Sequence, residues 1–329
     1  MTTTEPELHP DSWHLLMLLD QAPGFAAISQ ALIELTDEGH PIAVTTADLK
    51  YSNGLVRFQE KHPERFLQFG ISEQNMVSAS AGLATTGLLP YTATFASFLA
   101  LLCCEQIRTD VAYCNQPVRL IGHHAGISLG FYGTSHHATE DLAIMRSMAN
   151  MTVIAPSDPA QFHAAIRATV NHPGPIYFRA SRGRDPIIYE HGVDFQLGRA
   201  IAHGEGSDLM LIATGSSVHP TLAAAEQLRE QGISVGVLDM HTVKPLDGDA
   251  VLAAARGAGR LMTVEEHNVL GGLGGAVAEV LTEEGVATKL HRHGIKDEYS
   301  LIGPPTHLYR HYELDAAGIA QVALRFLNA

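Results

Sequence analysis

The chain is predicted to fold as α/β, in two doubly wound domains, each built on a mainly parallel sheet. Three observations predict it. Short β-branched and aromatic runs alternate with longer amphipathic runs, the mark of strand–helix–strand units. The length, 329 residues, exceeds one ordinary compact domain. The alternation lapses once near the middle and then resumes.

Taken in order, the strands expected in the first half are Ile42–Thr46, Phe66–Gly70, Pro90–Phe95, Pro117–His124, Met151–Ser157 and Pro175–Ser181. Helical periodicity covers Phe25–Glu38, Ser72–Thr86, Phe98–Tyr113, Thr139–Met148 and Pro159–Val170. From Ser181 to Gly198 the pattern is replaced by Gly, Pro and charge, which marks a linker, set at 186–198 between a domain at 23–185 and another at 199–329. After it come strands DLMLIATG, ISVGVLDM and RLMTVEEH, with helices at Pro220–Gln231, Gly271–Glu284 and Leu314–Phe326. In open parallel sheets, ligands collect at the carboxyl ends of strands. The loops after Thr46, Gly70, Phe95, His124 and Ser181 are therefore the places to look.

Composition narrows the function classes. Hydrophobic residues make up 46% and charged residues 17%, which suits a large buried core. A formal charge of −14 argues against nucleic acid, whose binding needs a basic surface. No apolar run approaches the roughly 20 residues of a membrane span. The polar N-terminal extension, residues 1–22, lacks the basic-then-apolar pattern of a secretory signal. Its one apolar burst, Leu15 to Leu19, is cut off by Asp20 and Pro23 and reads as a docking segment or a frayed helix. Cys103, Cys104 and Cys114 form no CxxC; the first two fall in an apolar helical stretch and are expected to be buried free thiols, implying a reducing, cytoplasmic compartment.

Each candidate loop has an ordinary reading beside a functional one. Asp48 and Ser52 follow the first strand and alone would pass as a polar turn. Ser72 suits an N-cap, and Glu73 sits in the first helical turn, where a carboxylate is electrostatically welcome. The same Glu73, heading the small-residue helix MVSASAGLATTG, could also meet another chain or a flat ligand and exchange a proton with it. Phe95 and Phe98 flank one turn, as core aromatics or as a stacking platform.

The loop HHAGISLGFYGTSHHATED is richer, with His123, His124, His136 and His137 around Gly126, Gly130 and Gly133. No Cys or carboxylate there has zinc-ligand spacing, and imidazoles that hydrogen-bond a polar substrate fit better. Arg179, Arg182 and Arg184 suit phosphate or sulfonate, though a solvated linker surface explains them nearly as well. One decoy is VLGGLGGAV: Val277 stands where a dinucleotide loop needs its third Gly or Ala, so a close-packed helix start is the better reading.

Together FGISEQNM, TFASF, GISLGFYGTSHHATEDLAIMR, MTVIAPSD and GPIYFRASR resemble the thiamine diphosphate pyrimidine-binding domain of the transketolase family. DLMLIATGSSVHPTLAAAEQL through TVEEHNVLGGLGG resembles that family's C-terminal domain, so the likeness covers nearly the whole chain from about Phe25. The resemblance implies a ketol-transferring enzyme in which Glu73 hydrogen-bonds the cofactor's pyrimidine nitrogen and favours the tautomer that activates the thiazolium carbon. It implies that Phe98, supported by Phe95, stacks on the pyrimidine and that Asp48 lies near the cofactor. It further implies that His136 holds the donor's oxygens while Ser52, His124 and Arg182 line the substrate channel.

Full-length members carry a GDG motif and a downstream asparagine that hold metal and diphosphate, and this sequence contains neither. The resemblance therefore implies the second subunit of a two-chain, α2β2 enzyme. Its partner is a diphosphate-binding N-terminal subunit that holds most of the Mg2+ or Ca2+ site. Two departures bear on the sugar. Tyr132 stands where the family has a hydroxyl-reading aspartate, and Ala26 where an arginine often helps hold phosphate. These departures count against assigning the ordinary pentose phosphates and leave room for a modified or differently anionic ketose. Two rivals share the cofactor: the β-subunit of a 2-oxoacid dehydrogenase and a deoxyxylulose phosphate synthase-like enzyme. A third, of another class, is a non-catalytic regulatory or structural subunit.

Overall fold

The computed structural model describes residues 23–182 and 185–329; the extension 1–22, with its Leu15–Leu19 burst, and Arg184 lie outside the described residues. The α/β expectation holds. Strands β1 (Ile42–Thr46), β2 (Phe66–Gln68), β3 (Leu89–Phe95), β4 (Arg119–His123), β5 (Thr152–Ile154) and β6 (Ile176–Arg179) pair in parallel in the order β5-β6-β4-β3-β1-β2. Their helices are α1 (Pro23–Asp37), α2 (Val56–Lys61), α3 (Glu73–Thr85), α4 (Cys104–Gln106), α5 (Asp141–Ser147) and α6 (Pro159–Ala168).

β1, β3 and β4 are buried at every position, as a parallel sheet covered on both faces requires. The two faces alternate with the strand period of two. Ile121, Ile154 and Phe178 join the core beneath α1 and α6, while their neighbours Leu120, Val153 and Tyr177 join the core beneath α3 and α5.

The segment expected as one helix from Phe98 to Tyr113 differs. Residues Phe98–Leu102 and Ile107–Tyr113 are wound in wide turns on either side of α4, and the Cys103 amide donates to Phe98 O, five residues back, at 2.9 Å. Such widened turns are uncommon and recur at functional sites. Periodicity cannot distinguish them from an ordinary helix, because the apolar stripe only drifts.

The second sheet runs β12 (Lys289–Ile295), β11 (Arg260–Asn268), β8 (Leu209–Ala213), β9 (Val235–Asp239), β7 (Ile201–His203), parallel except for β7. Its helices are α7 (Val218–Arg229), α8 (Gly248–Ala258), α9 (Leu273–Glu283), α10 (Pro305–His311) and α11 (Ala316–Leu327). Periodicity alone does not reveal α2, α8, α10, β7, β12 or β10 (Thr242–Lys244). The last matters most: β10 follows the linker yet pairs antiparallel with β5, completing the first sheet as a seventh strand. The start of the linker is tied to both halves of the chain. Asp158 accepts from the Ile188 and Tyr189 amides, and the Tyr189 hydroxyl donates to Asp239 at 2.7 Å. The decoy glycines open α9, where the Glu265 carboxylate accepts from the Leu273 and Gly274 amides, so they serve helix packing.

Candidate active site

Glu73, the Phe95–Phe98 turn, the histidine loop and Arg182 all follow the carboxyl ends of parallel strands, where such sheets gather ligands. Folding turns four of their side chains into one cluster. Phe95 meets Phe98 edge-on at 5.2 Å between ring centres, and His136 lies 5.3 Å from each. His124 is 5.1 Å from Phe95, and Phe25 at the head of α1 closes on it at 5.5 Å. Ala26, the position of one sequence departure, is the next residue of that helix. Tyr132, the other, lies over His136 at 4.9 Å, so it flanks the ring that the resemblance assigns to the donor.

Glu73 begins α3 and is only 6% exposed. Ser72 occupies the N-cap position but does not cap; its hydroxyl donates backwards to Phe69 O at 2.8 Å. The Glu73 carboxylate has no hydrogen-bond partner among the described residues, which a buried carboxylate rarely tolerates without a ligand to meet it. Gln74 next to it donates to Leu102 O, so α3 is laced to the wide turn that begins at Phe98. Burial, and after it the Glu73 charge, pushes the buried Cys103 thiol up to about 12. Cys103, Cys104 and Cys114 are free thiols, with Cys104 half-buried where full burial was expected. Ser80 and Ala81 of the small-residue helix are buried within the chain, Ser80 against Thr45 of β1.

The remaining expectations fare unevenly. Asp48 is exposed, in the left-handed region at φ 59°, with its amide held by Gln68. Ser52 is half-buried beside Asn53, whose amide group donates to Thr46 and to Ala93 O of β3. Among the described residues, no ring contact or hydrogen bond joins Asp48 or Ser52 to the cluster. Arg182 is half-buried and near enough to His124 for its charge to act there. Arg179 is not available to an anion: it is buried against Asp141, with Nε at 2.8 Å from Oδ2, and it also donates to Ala138 O and Glu266 O. His137 is likewise committed, paired with Ser300 of the second half at 2.6 Å. Ser300 and Glu266 are not singled out by sequence. Glu266 had one usable signal, a pair of carboxylates at the end of an otherwise apolar strand.

Burial dominates the titration of the histidines. His123 is pushed down to about 3, His241 to about 4, and His124, His136, His137, His203, His267, His291 and His293 are all lowered by the same cause. A histidine lowered in the fold binds protons better when unfolded, so its contribution is intact above about pH 6.5 and is lost on acidification. Buried carboxyls oppose this. Asp239 at about 6, Glu265 at about 7, and the raised Asp185 and Glu266 favour the fold as pH falls from about 7 towards their unfolded values. The nine histidines outnumber the four carboxyls, and at pH 5 His123 alone costs on the order of 2 kcal/mol. We expect the melting temperature to fall between pH 7 and pH 5; a flat or rising profile by circular dichroism would contradict this balance.

Comparison with known proteins agrees with this architecture. Residues 22–186 match the family model for the transketolase pyrimidine binding domain, and residues 198–319 that for the transketolase C-terminal domain. The chain is 36% identical over 303 residues to one of the subunits of the apulose-4-phosphate transketolase of Phocaeicola vulgatus, covering 92% of this chain and 96% of that protein. It is 37% identical over 292 residues to a 6-deoxy-6-sulfo-D-fructose transketolase subunit of a Clostridium species, covering 89% and 90%. A solved structure described as a split-gene transketolase, an inactive β4 tetramer, superposes with a TM-score of 0.83 at 37% identity, covering 92% of this chain and 97% of that one.

Proposed function

This chain belongs to the transketolase family of thiamine diphosphate-dependent transferases, and from that premise we propose that it is the catalytic, pyrimidine-side subunit of a two-chain transketolase. The single observation that carries this reading is Glu73, a buried carboxylate with no hydrogen-bond partner among the described residues, at the head of the helix that Gln74 laces to the turn beginning at Phe98. That pairing fits a flat, nitrogen-bearing ring. Glu73 would hold one ring nitrogen, Phe98 braced by Phe95 would stack on the face, and Asp48 would lie close by. When bound, thiamine diphosphate supplies the nucleophilic carbon that accepts a two-carbon ketol unit from a ketose and passes it to an aldose.

The chain's own residues do the rest. Glu73 holds or yields a proton at its carboxyl. His136, kept neutral by burial, presents one ring nitrogen as donor or acceptor to the donor sugar's oxygens, with its Nδ1 at 2.9 Å from Ser135 Oγ. His124 and Ser52 line the channel, and Arg182 meets the sugar's terminal anion. Ile71 (84% exposed), Leu101 and Leu102 flank Glu73 and the Phe98 turn, an apolar rim suited to a partner chain. That partner would carry the diphosphate and its Mg2+ or Ca2+, in an α2β2 assembly. The free thiols favour a reducing, cytoplasmic compartment. Among the described residues, no helix is long and apolar enough to cross a membrane. Tyr132 and Ala26, with relatives named for apulose 4-phosphate and a sulfonated fructose, favour a modified anionic ketose over ordinary pentose phosphates.

The test is reconstitution. The purified chain, given thiamine diphosphate and magnesium, should transfer no ketol unit. Adding a diphosphate-binding partner subunit should restore transfer, with donors screened across phosphate, sulfonate and uncharged termini. Turnover by the pure chain would overturn the two-subunit reading. Decarboxylation of pyruvate without ketol transfer would favour the 2-oxoacid and deoxyxylulose phosphate synthase-like alternatives.

A further inference from the structure

The loop that carries His136 is pinched at its base. The Gly126 amide donates to Ala138 O at 3.0 Å and the Ala138 amide to Gly126 O at 2.9 Å, an isolated two-residue bridge. Among the described residues, the second half of the chain contributes no ring to the aromatic cluster, yet it grips both sides of this neck. Glu266, near the carboxyl end of β11 and 2% exposed, accepts from the Ile127 amide at 2.7 Å. The same oxygen accepts from the Tyr309 hydroxyl at 2.9 Å, and the other from the Ser216 hydroxyl at 2.5 Å. On the opposite side, Arg179 donates to Ala138 O at 3.2 Å and to the Glu266 carbonyl at 2.9 Å. The Asn268 amide donates to Thr139 O at 2.8 Å.

The neck is shaped to admit the carboxylate. Gly126 has φ +63°, and a Cβ there would fall 2.3 Å from the Glu266 carboxyl group. A side chain at 126 and a carboxylate at 266 cannot coexist in this arrangement. Farther out, Ile302 fills the space over Gly133, at 2.7 Å from where a Cβ would stand. A carboxyl group with three donors, buried from water, is among the stiffer anchors available to a loop.

We propose that Glu266 is a positioning residue for the active site: its carboxylate sets the Gly126–Ala138 neck, and through it the seat of His136. The second domain is then part of the catalytic apparatus. This rests on the reading of His136 as a donor-binding residue.

Two variants in the reconstituted two-subunit enzyme test it. Glu266→Gln keeps an acceptor for Ile127, while Glu266→Met keeps the size and loses every acceptor. With 6-deoxy-6-sulfo-D-fructose as first donor, Glu266→Met should raise the donor KM about tenfold and leave thiamine diphosphate affinity within about twofold. Hydrogen exchange at residues 126–139 should accelerate about tenfold, with β8 and β9 unchanged, and Glu266→Gln should recover most of both effects. If Glu266→Met does not fold, the Ser216→Ala and Tyr309→Phe double variant should move KM and exchange in the same direction by about threefold. A lowered melting temperature with unchanged KM and unchanged loop exchange would overturn the proposal. If the parent pair transfers no ketol unit, the functional reading has failed instead, and the exchange comparison alone decides whether Glu266 holds the neck.

Discussion

Glu73→Gln should lower ketol transfer by the two-subunit enzyme roughly 10²–10⁴-fold, the range seen when a positioned proton carrier is lost. The fold should not notice. Glu73 makes no side-chain hydrogen bond among the described residues, so the amide breaks none, and its size is unchanged. Melting temperature, association with the partner and ring packing at Phe95 and Phe98 should match the parent. Steady-state kinetics beside a thermal melt and size-exclusion chromatography separate the two properties. A fully active Glu73→Gln enzyme would favour the reading in which this chain is a regulatory or structural subunit. The prediction is demanding because it asks for a large catalytic loss at no structural cost, which only an unpartnered functional carboxylate gives.

Asp141→Ala should do the reverse, chiefly through stability. Asp141 and Arg179 are buried, with side chains 0% and 4% exposed, and Asp141 also accepts from the Tyr177 hydroxyl at 2.7 Å. Removing the carboxylate leaves a guanidinium in the interior without its counter-charge, which typically costs about 3–5 kcal/mol. For domains of this size that corresponds to a fall in melting temperature on the order of 10 °C. Replacing both partners with apolar residues, Asp141→Leu with Arg179→Met, should recover part of the loss. The recovery stays incomplete because Ala138 O and Glu266 O lose the donor that Arg179 supplied. A shift of less than about 2 °C for Asp141→Ala would mean that water or neighbouring groups compensate the charge.

Part of the cluster was legible as a set of candidates. Phe95, Phe98, His124 and His136 stand at strand ends, where a parallel sheet gathers short loops rich in unusual side chains. Their convergence on one cluster follows once the strands are ordered β4-β3-β1-β2. Arg179 shows the limit of such reading. By position it resembles Arg182, two loop arginines after one strand, but strand pairing points Arg179 into the interior, where Asp141 waits. Which of two neighbouring guanidiniums meets a ligand depends on which way the strand's alternation faces, and a shift of one residue reverses it. The wide turns after Phe98 were invisible for a related reason: one extra residue per turn barely disturbs an apolar stripe.

The sequence by itself determined the class of fold, the order of most of its strands and helices and the chemical character of the loops, because these depend on local periodicity and on residue types. Only the tertiary structure decided that β10 crosses to complete the first sheet, that His137 is held by Ser300, and that Glu266 reaches the neck of the histidine loop. Each of these joins groups far apart in the chain, Glu266 and Ile127 by 139 positions. A buried carboxylate takes whichever donors the packed interior leaves open, and no local pattern records that choice.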